Sequence, residues 1–133
     1  MARSTMQEQT VVLGNILGTE SSAKNHPIWY NDRADGASIR ISGLRLLGEV
    51  TADASNYYTL TFKDDSGDTM GSTHFATNAI TNGATTPTTI SLTAANCLLA
   101  DNEGFYVTFA QTGNGQTING LTAQFTYTVE RAG

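Results

Sequence analysis

In the stretch Leu121-Thr122-Ala123-Gln124-Phe125-Thr126-Tyr127-Thr128-Val129-Glu130, apolar and polar side chains alternate without a break. Successive side chains of a strand point to opposite faces, so this run predicts a strand with Leu121, Ala123, Phe125, Tyr127 and Val129 on one packed face. The other face carries Thr122, Gln124, Thr126 and Thr128, and is wet or lies against a polar partner, including the same face of a symmetry mate. A one-residue slip would put the whole apolar set into water, which fixes the register.

The same period recurs upstream. Phe105, Val107 and Phe109 share a face opposite Tyr106, Thr108 and Ala110, and Gly113-Asn114-Gly115-Gln116 makes the connection to the last strand. Tyr58, Leu60 and Phe62 point one way, while Tyr57, Thr59, Thr61 and Lys63 point the other. Asp64-Asp65-Ser66-Gly67-Asp68 then turns the chain, because Gly accepts positive φ and Asp bonds its own backbone. Ile39 and Ile41 alternate on odd positions, but Leu44 and Leu46 on even ones, which predicts a bulge or a break at Ser42-Gly43. Residues 69–77 alternate weakly and are expected at an edge position or under the close approach of a neighbour. Residues 78–87 read as a loop, Ile90 and Leu92 as inward positions of a short strand, and residues 93–104 as room for one helical turn. Seven or eight short strands with turn signals between them predict an all-β fold, a two-sheet antiparallel sandwich. There is no Cys and Trp pattern of an immunoglobulin domain, and a jelly-roll-like connectivity is expected.

Composition narrows the function. The chain of 133 residues is one domain's worth, with or without a tail, and carries only 14% charged residues, with a net charge of −5. Polarity comes instead from 21 Thr, 9 Ser, 10 Asn and 5 Gln. Seven scattered cations on an acidic chain argue against nucleic acid, which needs clustered Lys and Arg. No apolar run is long enough for a membrane span, and the start lacks the apolar core of a secretory signal. The lone Cys97 excludes an internal disulfide framework or a multi-thiolate zinc site within one chain.

Residues 1–25 stand apart from the β-sandwich domain expected over 26–133. Their short apolar run Val11-Val12-Leu13, with Ile16-Leu17, precedes the linker-like Gly18-Thr19-Glu20-Ser21-Ser22-Ala23-Lys24-Asn25. This is either a disordered start, an edge strand, or an extended N-terminal arm that orders on a partner through Val11, Val12 and Leu13. The arm is the sharper expectation.

Nothing in the sequence assembles an enzyme. His74 and Cys97 could pair as base and nucleophile, but Cys97 sits among Ala94, Ala95, Leu98 and Leu99 and reads as a small buried hydrophobe. Asp64, Asp65 and Asp68 with Ser66 could begin a calcium site, yet a hairpin turn uses the same residues for backbone geometry. Glu49 and Asp53 have no signal of a facing pair for sugar hydrolysis. No catalytic residue, metal or cofactor is therefore expected. The aromatics are the other handle. Trp29 and Tyr30 follow His26-Pro27-Ile28, and Tyr57 and Tyr106 fall on the less apolar faces of their strands. Such rings pack a core or rim, anchor a protein interface, or stack on a sugar.

Two further phrases decide the functional expectation. Ile41-Ser42-Gly43-Leu44-Arg45-Leu46-Leu47 followed by Val50-Thr51-Ala52-Asp53-Ala54-Ser55-Asn56-Tyr57-Tyr58-Thr59-Leu60-Thr61, and Leu98-Leu99-Ala100-Asp101-Asn102-Glu103-Gly104 before a Phe-Tyr-Val-Thr-Phe strand, resemble small β-sandwich virion proteins of tailed bacteriophages, of the capsid decoration, cement or head-fibre type. The resemblance covers roughly residues 26–130. It implies a late structural protein, made in the host cytoplasm, that sits on the outer capsid surface as a homotrimer and binds the major capsid protein. It carries over no catalytic residue. It also implies a structural position at Asn56 and Tyr57, where the amide ties a loop and the ring begins a strand. The alternative is a glycan- or host-surface-binding sandwich module of a fibre or adhesin, which would show a concave site with an exposed aromatic and nearby amides or carboxylates.

Overall fold

A computed structural model of the chain describes residues 6–16, 24–81 and 87–130. Nine strands follow one another among these residues: β1 (Met6–Ile16), β2 (Lys24–Asn31), β3 (Ser38–Glu49), β4 (Tyr57–Asp64), β5 (Thr69–His74), β6 (Thr88–Thr89), β7 (Leu98–Leu99), β8 (Glu103–Thr112) and β9 (Ile118–Glu130). One turn of 3₁₀ helix, Ala94–Asn96, occupies the segment where a helical turn was expected.

The strands form two antiparallel sheets. Sheet A has the order β1-β9-β3-β6, with β7 also on β3, and sheet B has the order β2-β8-β4-β5. With β6 and β7 sharing one edge of the five-stranded sheet A, each sheet has four strand positions, and the chain passing from one sheet to the other in this order is the jelly-roll arrangement of two Greek keys. The count exceeds the expected seven or eight because the edge beside β3 is split into two residue pairs, β6 and β7, separated by the 3₁₀ turn.

The alternation read from the sequence is the burial pattern of the structure. On β9, Leu121, Ala123, Phe125, Tyr127 and Val129 are buried, and the intervening residues are half-buried. They meet Tyr58, Leu60 and Phe62 of β4 and Phe105, Val107 and Phe109 of β8 in one core. Phe125 packs in it across both sheets, with ring centroids 5.2 Å from Phe105 and 5.8 Å from Trp29. The phase change at Ser42-Gly43 is a bulge within a continuous β3, with a register shift between Ile41 and Gly43. A Cβ on Gly43 would come within 2.8 Å of Thr126 Oγ1, so a larger residue there would have to turn that hydroxyl aside. β5 is an edge strand, as its weak pattern predicts.

Of the readings open for the first 25 residues, the described part takes the edge strand. Met6–Ile16, part of the expected arm, lies along β9 as an edge strand of sheet A. Ile16 is buried, and Val11 and Leu13 pack partly against the core. The segment is extended, but it docks on its own domain. Met6 lies opposite Thr128, so the first described strand starts where the last one ends. The boundary expected at residue 25 falls inside β2, which pairs with β8. Most of the expected linker, residues 18–23, and residues 82–86 of the expected loop lie outside the described residues.

Buried polar side chains hold the loops. Asn31, fully buried, donates through Nδ2 to the carbonyls of Ala37, Leu99 and Ala100 at 3.0–3.2 Å, tying the end of β2 to two loops. Gln116 accepts from the Tyr58 amide and donates to the Thr51 and Phe75 carbonyls, closing the turn before β9 onto β4. Asn56 Oδ1 accepts from the Asn114 amide at 2.9 Å, and Tyr57 opens β4. The amide ties a loop and the ring begins a strand, as the phrase around Asn56 predicts.

Candidate functional site

Two surfaces carry the residues that could recognise something. The first is the outer face of sheet A. The outward side chains of β9 (Thr122, Gln124, Thr126 and Thr128) are flanked by Met6, Glu8, Thr10 and Val12 of β1 and by Arg40, Ser42 and Arg45 of β3. The charges on this face are answered within it. Arg40 Nε donates to Glu130 Oε1 at 2.7 Å. Arg45 Nε donates to Gln124 Oε1 at 2.8 Å, and its Nη2 stands 3.7 Å from Glu8 Oε1. The Ser42 and Thr126 hydroxyls bond each other at 3.0 Å.

Exposed apolar side chains frame this ladder. Four large hydrophobic residues stand exposed among the described ones: Met6 at 65%, Val12 at 72%, Tyr30 at 52% and Leu98 at 41%. Met6, Val12 and Leu98 are opposite Thr128, Thr122 and Arg40 respectively, and so lie on the outer face of sheet A. A small hollow of about 180 Å³ opens at the β3 bulge, between Glu8, Gly43, Arg45, Thr89, Gln124 and Thr126.

The second surface is a hollow of about 390 Å³ on the outer side of sheet B, where β2, β8 and the β4–β5 turn meet. Tyr30 and Tyr106 line it together with Asn25, Pro27, Gly104 and Asp65, over a floor that includes Ile28 and Phe105. Two backbone features shape it. A register shift between Pro27 and Trp29 bulges β2, and Gly104 lies beneath Tyr30. A Cβ at Gly104 would approach the Trp29 carbonyl to 2.8 Å and Tyr30 Cδ1 to 3.2 Å. Asn25 Oδ1 accepts from the Thr108 hydroxyl at 2.9 Å, which engages the acceptor side of the amide.

The sequence-predicted residues thus separate into groups. Tyr30 and Tyr106 come together in the hollow. Trp29 contributes backbone there, but its ring turns into the sandwich, 5.0 Å from Tyr127 and 5.8 Å from Phe125. Tyr57 lies apart on β4, with its ring 5.9 Å from that of His74. Val12 is on the outer face of sheet A, whereas Val11 and Leu13 turn toward the core. Asn25 had no signal in the sequence as a site residue and Asp65 only as part of the carboxylate cluster weighed for calcium, since only strand pairing brings them beside Tyr30.

Three of the titratable groups singled out earlier, Cys97, Asp64 and Asp53, have structural partners. Cys97 is buried, its thiol donates to the Thr93 carbonyl at 3.3 Å, and burial pushes its pKa up. A protonated thiol is a poor nucleophile. Asp64 accepts from the amides of Ser66 and Asp68, and Asp53 accepts from those of Ser55 and Asn56, bonds that hold the Asp53 carboxyl below its ordinary range. These carboxylates shape turns. Among the described residues, no three His, Cys, Asp or Glu side chains converge as metal ligands, and no helix is long and apolar enough to cross a membrane. The chain matches no protein-family model and no curated protein.

Proposed function

We propose that this protein is a non-enzymatic structural component of a phage virion, docking through the outer face of sheet A onto the outside of the capsid lattice as a homotrimer and stabilising the shell. The observation that carries this reading is the placement of Met6, Val12 and Leu98 around a self-neutralised hydroxyl ladder. Protein interfaces combine apolar anchors with few unpaired charges, and exposed apolar side chains gathered on one face mark such surfaces. The ladder costs little to desolvate, because its guanidinium groups and several hydroxyls already have partners on the same sheet. The resemblance of residues 26–130 to phage decoration proteins supplies the partner, the major capsid protein. Weak single contacts suffice where a trimer meets a repeating lattice. Binding that favours the assembled shell stabilises it by mass action.

The test is co-sedimentation with purified shells of the phage or prophage that encodes the chain, alongside sedimentation equilibrium of the protein alone. The expected results are a species of three times the 14.1 kDa chain mass and saturable binding to shells. Replacing Val12 or Leu98 with Lys should abolish shell binding while leaving the fold intact. A chain that ignores these shells, or whose Lys variants bind them as well as the parent, refutes the reading.

A further inference from the structure

The hollow on sheet B lies on the sheet opposite the proposed docking face, so a ligand there would not compete with the lattice. Its make-up is specific. One wall is the half-exposed ring of Tyr30, which is large, apolar on its face and held over Gly104. The facing side has the Tyr106 ring, whose hydroxyl stands about 4.0 Å from where a Cβ on Gly67 would be. That places it against the β4–β5 turn that carries Asp65. Among its lining residues are an amide whose acceptor oxygen is already taken by Thr108 (Asn25) and a carboxylate (Asp65). Binding sites of this size, in the range of about 300–1,000 Å³, combine apolar walls with a few polar groups that fix orientation.

We propose that this hollow binds a single neutral hexopyranose ring. A pyranose presents one face of C–H groups and a rim of hydroxyls that both donate and accept. The C–H face lies on Tyr30. The Asp65 carboxylate accepts from adjacent ring hydroxyls, and the Asn25 amide donates to a further one. Charge-assisted bonds to Asp65 supply the polar part of the affinity, and the aromatic wall rejects open-chain polyols that lack a flat apolar face. The hollow is lined by Gly104 and by the bulged part of β2, both features associated with ligand approach in sheets.

An organic cation is the competing occupant, since tyrosines with a carboxylate also attract quaternary ammonium groups. The amide donor of Asn25 has no use for a cation, which favours the sugar. The experiment titrates the ¹⁵N-labelled full chain with the methyl glycosides of glucose, galactose, mannose and N-acetylglucosamine, and separately with choline chloride. The expected result is that at least one glycoside gives saturable shifts confined to the amides of Asn25, Tyr30, Asp65, Gly104 and Tyr106. Tyr30→Ala and Asp65→Ala should each weaken that glycoside at least about tenfold. Tyr30→Phe should retain it, and Tyr57→Ala should bind like the parent. The proposal is overturned if no glycoside shifts these amides, if Tyr30→Ala binds as well as the parent, or if choline shifts them and the sugars do not. Unchanged shell co-sedimentation by Tyr30→Ala keeps this outcome separate from that of the docking reading.

Discussion

If the two sheets meet at Phe125, then Phe125→Ala should be among the most damaging single substitutions in the chain. The ring is 1% exposed and contacts the rings of Phe105, Trp29 and Tyr127. Truncation of a buried Phe to Ala costs about 3–5 kcal/mol, because the lost transfer energy is joined by the cavity left behind. Aromatic pairs contribute roughly 0.5–1.5 kcal/mol each beyond area, and three pairs are lost, which places the expectation at about 4 kcal/mol. Unfolding entropy of about 2.1 cal/mol/K per residue turns this into a Tm lowered by about 14 °C. Urea denaturation followed by Trp29 fluorescence is a direct assay, since the only Trp in the chain packs on the substituted ring. The midpoint should fall by roughly 2 M with the slope unchanged. Thr128→Val, on the opposite face of the same strand, should stay within about 0.5 kcal/mol of the parent. A loss below about 1 kcal/mol for Phe125→Ala, or equal losses for the two variants, would refute the assignment of faces along β9.

Further outcomes follow from individual positions. Gly115 has φ +67°, and a Cβ there would come within 2.7 Å of the Tyr58 ring, whereas Gly120 has φ +60° with nothing within 4 Å. Thermal melts should show Gly115→Ala costing about 2–4 kcal/mol and Gly120→Ala about 1 kcal/mol, the difference being the clash. Because the folded Asp53 carboxyl titrates below the unfolded one, the unfolded chain takes up the proton first. Stability is therefore present above the carboxylate range and lost as pH falls through it, and Asp53→Asn should flatten that acid limb in melts across pH. Cys97 has the opposite sign: its folded pKa is raised, so stability is present below the ordinary thiol range and declines as pH rises through it. Its thiol should resist a disulfide reagent in the native protein and react at once in denaturant.

The sequence was most legible where a strand runs through the middle of a sheet. β4, β8 and β9 are covered on one face, so strict alternation records their burial. Even the β3 bulge showed, as a change of phase between Ile41 and Leu44. β1 and β2 were obscure for the opposite reason, since both are edge strands. In β1, Val12 faces solvent between two partly buried neighbours, so three consecutive apolar residues look like an anchor and not a strand. In β2, Pro27 and the adjacent bulge break the period, and they turn Ile28 inward with the Trp29 ring packing on the far sheet. Tyr30 and Tyr106 could be recognised as rings on the wrong face for a core. Their convergence with Asn25 and Asp65 depends on β2 lying beside β8 across more than seventy residues of chain, which no local pattern encodes.

The pairing of Met6 with Thr128 brings both ends of the described sandwich to one corner. A short flexible linker from Glu130 to Met6 could therefore close the chain into a ring without disturbing any strand. New ends could then be opened at the exposed turn Asp65-Ser66-Gly67, since surface turns tolerate such permutation. By the same geometry, peptides appended to either end would emerge together, so a two-part tag could be reconstituted on the surface of a single copy.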